Sequence, residues 1–140
     1  MIKPIYPCLW FNGQAKAAAE FYCSIFKNSK IMADTPMVVT FEINGTKFMG
    51  LNGGPHFKFN EAVSFVVDCE TQDEIDYYWG KLTEGGQESR CGWLKDKFGV
   101  SWQIVPTVLQ QLLSDPTRAE RVSKAFMQMN KFDIEKLKQA

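Results

Sequence analysis

The chain has a single histidine among its 140 residues, His56, so no centre can be built on several imidazoles. Its four cysteines, Cys8, Cys23, Cys69 and Cys91, are far apart and form no C-x-x-C pair. That spacing excludes a zinc ribbon and a thioredoxin-type motif. Charge of either sign is not in excess. Lysine plus arginine and aspartate plus glutamate both number 16, giving a formal net charge of zero. A neutral chain without a basic run attracts phosphate backbones and anionic lipid weakly, so no nucleic-acid or membrane partner is expected. No stretch approaches the ~18 consecutive apolar residues of a membrane-crossing helix. The opening "MIKPIYPCLW" has no basic region followed by a long apolar run, so no secretory signal is expected there. A cytoplasmic location with reduced thiols is the expectation. No G-x-G sequence opens a helix, so the phosphate-binding turn of a nucleotide-binding fold is missing.

What the chain does have is a high aromatic share, 14%, within 45% hydrophobic residues. That suits a well-filled core, a lined cavity or a buried dimer face. The length fits one domain, residues 1–140. Zero net charge also lowers the barrier to self-association.

The sequence pattern occurs twice. Residues 5–11, "IYPCLWF", read as a strand. In the segment that follows, Ala18, Phe21, Tyr22 and Ile25 recur at i, i+3, i+4 and i+7, the apolar stripe of a helix, with Asn28 as its stop. "SKIMAD", "MVVTFEI" and "TKFMGLN" follow as strands, the last two joined at Asn44-Gly45, a strong hairpin signal. Residues 62–67, "AVSFVV", then start the second round. Ile75, Tyr78, Trp79 and Leu82 repeat the helical stripe. Thr71 and Glu74 make a capping box, Asp73 favours the helix start, and Gly85-Gly86 end the helix. "QESRC", "GWLKD" and "VSWQIVP" are the closing strands, with Asp96 and Lys97 serving the turn near Phe98-Gly99. Repeat one spans about residues 4–53 and repeat two about 61–106, with Gly53-Gly54 as a flexible connection. The tail, 107–140, reads as helical. Asp115 caps a helix starting at Pro116, with Val122, Ala125, Phe126 and Met129 on its apolar face, and Asp133 starts a last helix around Ile134 and Leu137. The tail is expected on the sheet or across a dimer.

"LWFNGQAKAAAEFY", "FMGLNGGPHFKFNEAVSFVV" and "CGWLKDKFGVSWQIVP" resemble the PhnB-like proteins, a branch of the vicinal-oxygen-chelate superfamily that also carries the label 3-demethylubiquinone-9 3-methyltransferase-like. The superfamily includes glyoxalase I, bleomycin and fosfomycin resistance proteins and extradiol dioxygenases. The resemblance implies an α+β fold of paired βαβββ repeats forming a curved mixed sheet cup, with the helical tail added. In the metal-dependent members a divalent ion sits in the cup and polarises substrate oxygens. His, Glu or Gln on the first and fourth strands of each repeat hold it.

Carried onto this chain, those points fall on Pro7 or Cys8, Met49, Ser64 and Gln103. Pro has no side-chain donor, Met is a soft thioether, and Ser is a weak neutral ligand. The expectation is therefore a cup with no metal and no cofactor. Strand alternation puts Cys8, Trp10, Met49, Leu51, Ser64, Val66, Gln103 and Val105 on its wall, and a slip of one residue would invert each assignment. That wall is apolar with a few polar handles and suits a small organic ligand.

Gln103 has two readings, a paired core residue or a group that meets the ligand. Trp93 reads as a packed hairpin aromatic more readily than a stacking platform. Cys8 or Cys91 as a nucleophile would need a base that the sequence does not supply. The expected function is binding of a small apolar or aromatic molecule by a homodimer, with no reaction established. The alternatives are a metal-dependent lyase, isomerase or dioxygenase, a methyltransferase as the label suggests, disfavoured by the missing G-x-G, and a non-enzymatic interaction module.

Overall fold

The computed structural model describes residues 1–140, which divide into two compact units, Met1–Phe59 and Asn60–Ala140. In the first unit the order is β1 (Cys8–Phe11), α1 (Ala15–Ile25), β2 (Lys30–Asp34), β3 (Val38–Ile43) and β4 (Thr46–Asn52). The strands form one mixed sheet in the order β1-β4-β3-β2, with β1 parallel to β4 and the rest antiparallel. The second unit repeats it with β5 (Ser64–Cys69), α2 (Gln72–Thr83), β6 (Gln87–Glu88), β7 (Trp93–Lys95) and β8 (Ser101–Pro106). Its sheet runs β5-β8-β7-β6, again with the first strand parallel to the last. The fold is α+β with the duplicated βαβββ pattern expected from the sequence.

Each sheet buries one face under its own helix. In the first unit Leu9, Phe11, Val39, Phe41, Ile43 and Phe48 point inward against Ala15, Ala18, Ala19, Tyr22 and Ile25 of α1. The stacked rings of Tyr22, Phe41 and Phe48 run through this layer. Alanines on the inward stripe let the helix lie close to the sheet. The orphan N–H of Ala15 at the start of α1 is met from β4, by Asn52 Oδ1 at 2.9 Å. In the second unit Leu94, Trp102 and Ile104 meet Ile75, Trp79 and Leu82 of α2. The Thr71–Glu74 capping box is present in full.

Boundaries differ from the sequence reading for local reasons. β1 begins at Cys8 rather than residue 5, because Pro7 and Pro4 cannot donate to a ladder. Pro7 still accepts from the Met49 N–H at 3.0 Å. Gly53-Gly54 is no loose connection. Gly53 lies against the ring of Trp10, where a Cβ would sit 2.3 Å from a ring carbon, and Trp10 Nε1 donates to the Gly54 carbonyl at 2.8 Å.

The tail is helical as expected and holds three helices, α3 (Val108–Leu113), α4 (Ala119–Phe126) and α5 (Ile134–Gln139), of which the sequence pattern marked out only the last two individually. α4 starts three residues later than Pro116. Asp115 instead takes the N–H and hydroxyl of Thr117 in a preceding turn, bonds that hold its carboxyl below the ordinary range. Leu112, Val122, Phe132 and Leu137 bury the tail in the second unit. Gln72 of α2 clamps it, donating to the Phe132 carbonyl at 2.9 Å and accepting from the Ile134 N–H at 2.8 Å. Lys131 reaches Asp76 at 2.8 Å, which lowers the carboxyl's pKa.

Candidate functional site

Away from its helix each sheet has a second, more open face, and strand alternation decides which side chains stand on it. In the first unit Cys8 and Trp10 of β1 share that face with Met49 and Leu51 of β4. The pairing sets Cys8 opposite Met49 and Trp10 opposite Leu51. Cys8, not Pro7, is thus the residue beside Met49. Trp10 is the most committed of the four, with its N–H paired and its ring against Gly53 and, edge-on, Phe57.

The open face of the second unit is a small lattice. Val66, Gln103 and Trp93 lie in one row across β5, β8 and β7, and Ser64, Ser101 and Lys95 in the next. Val105 stands opposite Asp68. Gln103 is half-buried and its Nε2 donates to Ser64 Oγ at 2.9 Å. The glutamine in an apolar strand is therefore tied to another of the sequence-derived points; it is paired, as one of its two readings had it, but to the Ser64 hydroxyl and not to a neighbouring carbonyl. Val66 is exposed beside it.

Whether these residues suit a divalent cation is a question of donor chemistry. A thiol stands by a thioether in one unit, and a neutral hydroxyl is bound to a neutral amide in the other. No three His, Cys, Asp or Glu side chains come together anywhere in the chain. Hard divalent ions prefer charged oxygen donors, and the borderline ones add imidazole or thiolate. Neither pair fits such an ion. Cys8 is not primed as a thiolate either, since partial burial of its sulfur pushes its pKa up. Cys69, deeper still, is pushed up to about 12, chiefly by burial.

Beside Trp93 the second unit has a cavity of about 510 Å³ that the sequence did not announce. Trp93, Lys95 and Ser101 wall it from the open face. Gln87 and Glu88 of β6 and the loop residues Ser89, Arg90 and Cys91 form its rim. The loop is held in an unusual conformation. Cys91 and Gly92 are both left-handed, at φ 60° and 81°, and non-glycine residues adopt this rarely. Their N–H groups donate to the Met129 and Asn130 carbonyls of the tail, each at 2.8 Å. The tail thus fixes the backbone that carries Arg90. Lys95 is paired with Glu61, whose carboxyl it holds below the usual range. Glu88 accepts from Trp79 Nε1 at 2.7 Å. The sequence pattern had placed Ser89 to Cys91 in the strand "QESRC"; the strand ends at Glu88, and the rest forms this loop because the tail carbonyls capture its N–H groups.

Asp96 is no part of this wall. It is 3% exposed and organises the β7–β8 hairpin, as the sequence suggested. Oδ1 accepts the N–H groups of Phe98 and Val100, and Oδ2 accepts Trp102 Nε1 at 2.9 Å.

Comparison with known proteins agrees with this topology. The family described as 3-demethylubiquinone-9 3-methyltransferase matches residues 3–105. A PhnB protein of Bacillus cereus that carries the same label is 33% identical, with a TM-score of 0.69. The match covers 75% of this chain and 100% of that one. A protein of Pseudomonas aeruginosa shares the fold at 20% identity and a TM-score of 0.64, over 75% of this chain and 98% of its own. A fosfomycin resistance protein of Listeria monocytogenes, complexed with Mn(II) and sulfate, shares it at 16% identity and a TM-score of 0.60, over 81% and 98%. No curated protein matches the chain.

Proposed function

The chain belongs to the 3-demethylubiquinone-9 3-methyltransferase family, the PhnB-like branch of the vicinal-oxygen-chelate superfamily, and from that membership we propose that it binds a small apolar or aromatic molecule without the divalent metal used by metal-dependent relatives. The observation that carries this reading is the Gln103–Ser64 hydrogen bond. Two positions where relatives place metal ligands hold neutral groups joined by one hydrogen bond, within an open face that also carries Val66, Val105 and Trp93. Such a surface offers apolar contact with a few polar handles, the usual makeup of a small-molecule site.

The methyltransferase label is the family's name. No G-x-G opens α1 or α2, and neither sheet has the all-parallel order of a nucleotide-binding fold. The same reading takes the protein as a homodimer. Exposed Ile2, Ile5, Val63 and Val66 and a zero net charge favour self-association.

The test is a thermal-shift screen of small aromatic and apolar compounds on the wild type and on Gln103→Leu. Compounds that raise the melting point of the wild type are expected to lose most of that effect on Gln103→Leu. A screen in which no compound moves the wild-type melting point removes the support for ligand binding.

A further inference from the structure

We propose that the cavity beside β7 takes a small aromatic carboxylate, with the Arg90 guanidinium on the carboxylate and the Trp93 ring against the aromatic body. This deepens the small-molecule reading above and rests on it.

The charges around the cavity select this class of ligand. Four ionised groups line it, Glu61, Glu88, Arg90 and Lys95. Three are already engaged, Lys95 with Glu61 and Glu88 with the Trp79 N–H. The Arg90 guanidinium makes no ion pair or hydrogen bond within the protein, although the residue's carbonyl accepts the Trp93 N–H at 3.1 Å, and the side chain is exposed at the rim. The one charged side chain without a partner is therefore a guanidinium, whose planar fork suits a carboxylate through two parallel hydrogen bonds. A neutral ligand would leave that fork unused, and a cation would meet it unfavourably.

Two further features border the same space. Ser101 is 1% exposed, and its hydroxyl is a buried polar atom without any hydrogen-bond partner. Such groups are rare because each costs free energy, and a cavity is where a ligand can complete one. The left-handed Cys91-Gly92 step is the second feature. Backbone strain of this kind persists only where the surroundings enforce it, and here the tail does so through Met129 and Asn130. The result is a rigid mount for Arg90 next to the half-buried Trp93 ring. Rigid placement lowers the ordering cost of binding a small ligand.

The experiment is an isotope-edited NMR titration of the full chain with matched pairs, benzoate against benzamide and naphthoate against naphthamide. The readout is the amides of residues 89–93 and the Trp93 indole N–H. The carboxylates are expected to bind about tenfold or more tightly than their amides, the usual scale for a charge-assisted pair. Arg90→Gln, at an exposed position, is expected to abolish that preference while leaving the fold intact. Ser101→Ala is expected to weaken carboxylate binding and also to raise the melting point of the free protein, since it removes the unpartnered hydroxyl. If carboxylates and amides bind alike and Arg90→Gln changes neither, the carboxylate assignment is wrong and the small-molecule reading survives. If no member of either pair perturbs these signals at millimolar concentration, the aromatic-carboxylate proposal falls, and the small-molecule reading stands or falls by the thermal-shift screen.

Discussion

Replacing Asp96 with alanine is expected to destabilise the second unit by about 3–5 kcal/mol, the sum of stranding several buried donors at once. The carboxylate accepts the N–H groups of Phe98 and Val100 and the Trp102 indole N–H. Alanine offers none of them a partner. The indole suffers most, because Trp102 is buried in the core face of β8 and water cannot replace the lost acceptor. Asp96→Asn keeps one carbonyl oxygen and exchanges the other acceptor for an NH₂ donor. Its loss is expected to be roughly half as large. Urea unfolding followed by tryptophan fluorescence measures both. A cost below about 1 kcal/mol for Asp96→Ala, the size of one ordinary exposed contact, would mean that the hairpin does not depend on this carboxylate.

Gly92→Ala is expected to cost about as much, roughly 3–5 kcal/mol, from two sources that add. The residue sits at φ 81°, where a Cβ is strained. The new methyl would also lie 2.4 Å from a ring carbon of Phe132 and 2.7 Å from the Ile104 carbonyl oxygen. Neither neighbour yields easily. Phe132 is the buried anchor of the tail, and the Ile104 residue is held in β8 with its N–H bonded to the Gly92 carbonyl at 2.8 Å. Relief would come from lifting the tail, so amide exchange should rise at Cys91 and Gly92 along with the fall in stability. A Gly92→Ala protein with wild-type stability and wild-type protection at Cys91 would show that the tail does not pin this loop.

These two residues also mark how far the sequence could be read. The repeats were visible because periodicity is local. An apolar stripe at Ala18, Tyr22 and Ile25, its echo at Ile75, Trp79 and Leu82, and the Asn44-Gly45 turn each need only a short window. The Thr71–Glu74 box is likewise contained in four residues. Alternation also put Cys8 with Trp10, Met49 with Leu51, Ser64 with Val66, and Gln103 with Val105 on shared faces, and the register keeps each pair together. Tertiary partners were beyond reach. The Gln103 amide finds Ser64 39 positions away in the chain. The loop at Arg90-Cys91 takes its shape from Met129 and Asn130, and nothing near residue 91 encodes where those carbonyls lie. α3 lay within the helical tail but was not set apart as a helix, because "VLQQLL" has neither a capping side chain nor a full amphipathic stripe. Trp93 stood out as a hairpin aromatic, but the cavity beside it depends on side chains from β6, the loop and β8 meeting in space.

The proposal at the centre of this account is that this PhnB-like chain binds no divalent ion, because the positions onto which the resemblance carries the metal ligands hold Cys8, Met49, Ser64 and Gln103, the last two hydrogen-bonded to each other. The most direct measurement is elemental analysis of protein purified without chelator and then dialysed against Mn(II), Zn(II), Ni(II) and Fe(II) in turn. The prediction is far less than one equivalent of any metal, unchanged in Gln103→Leu. One tightly held equivalent that disappears in Gln103→Leu would contradict it.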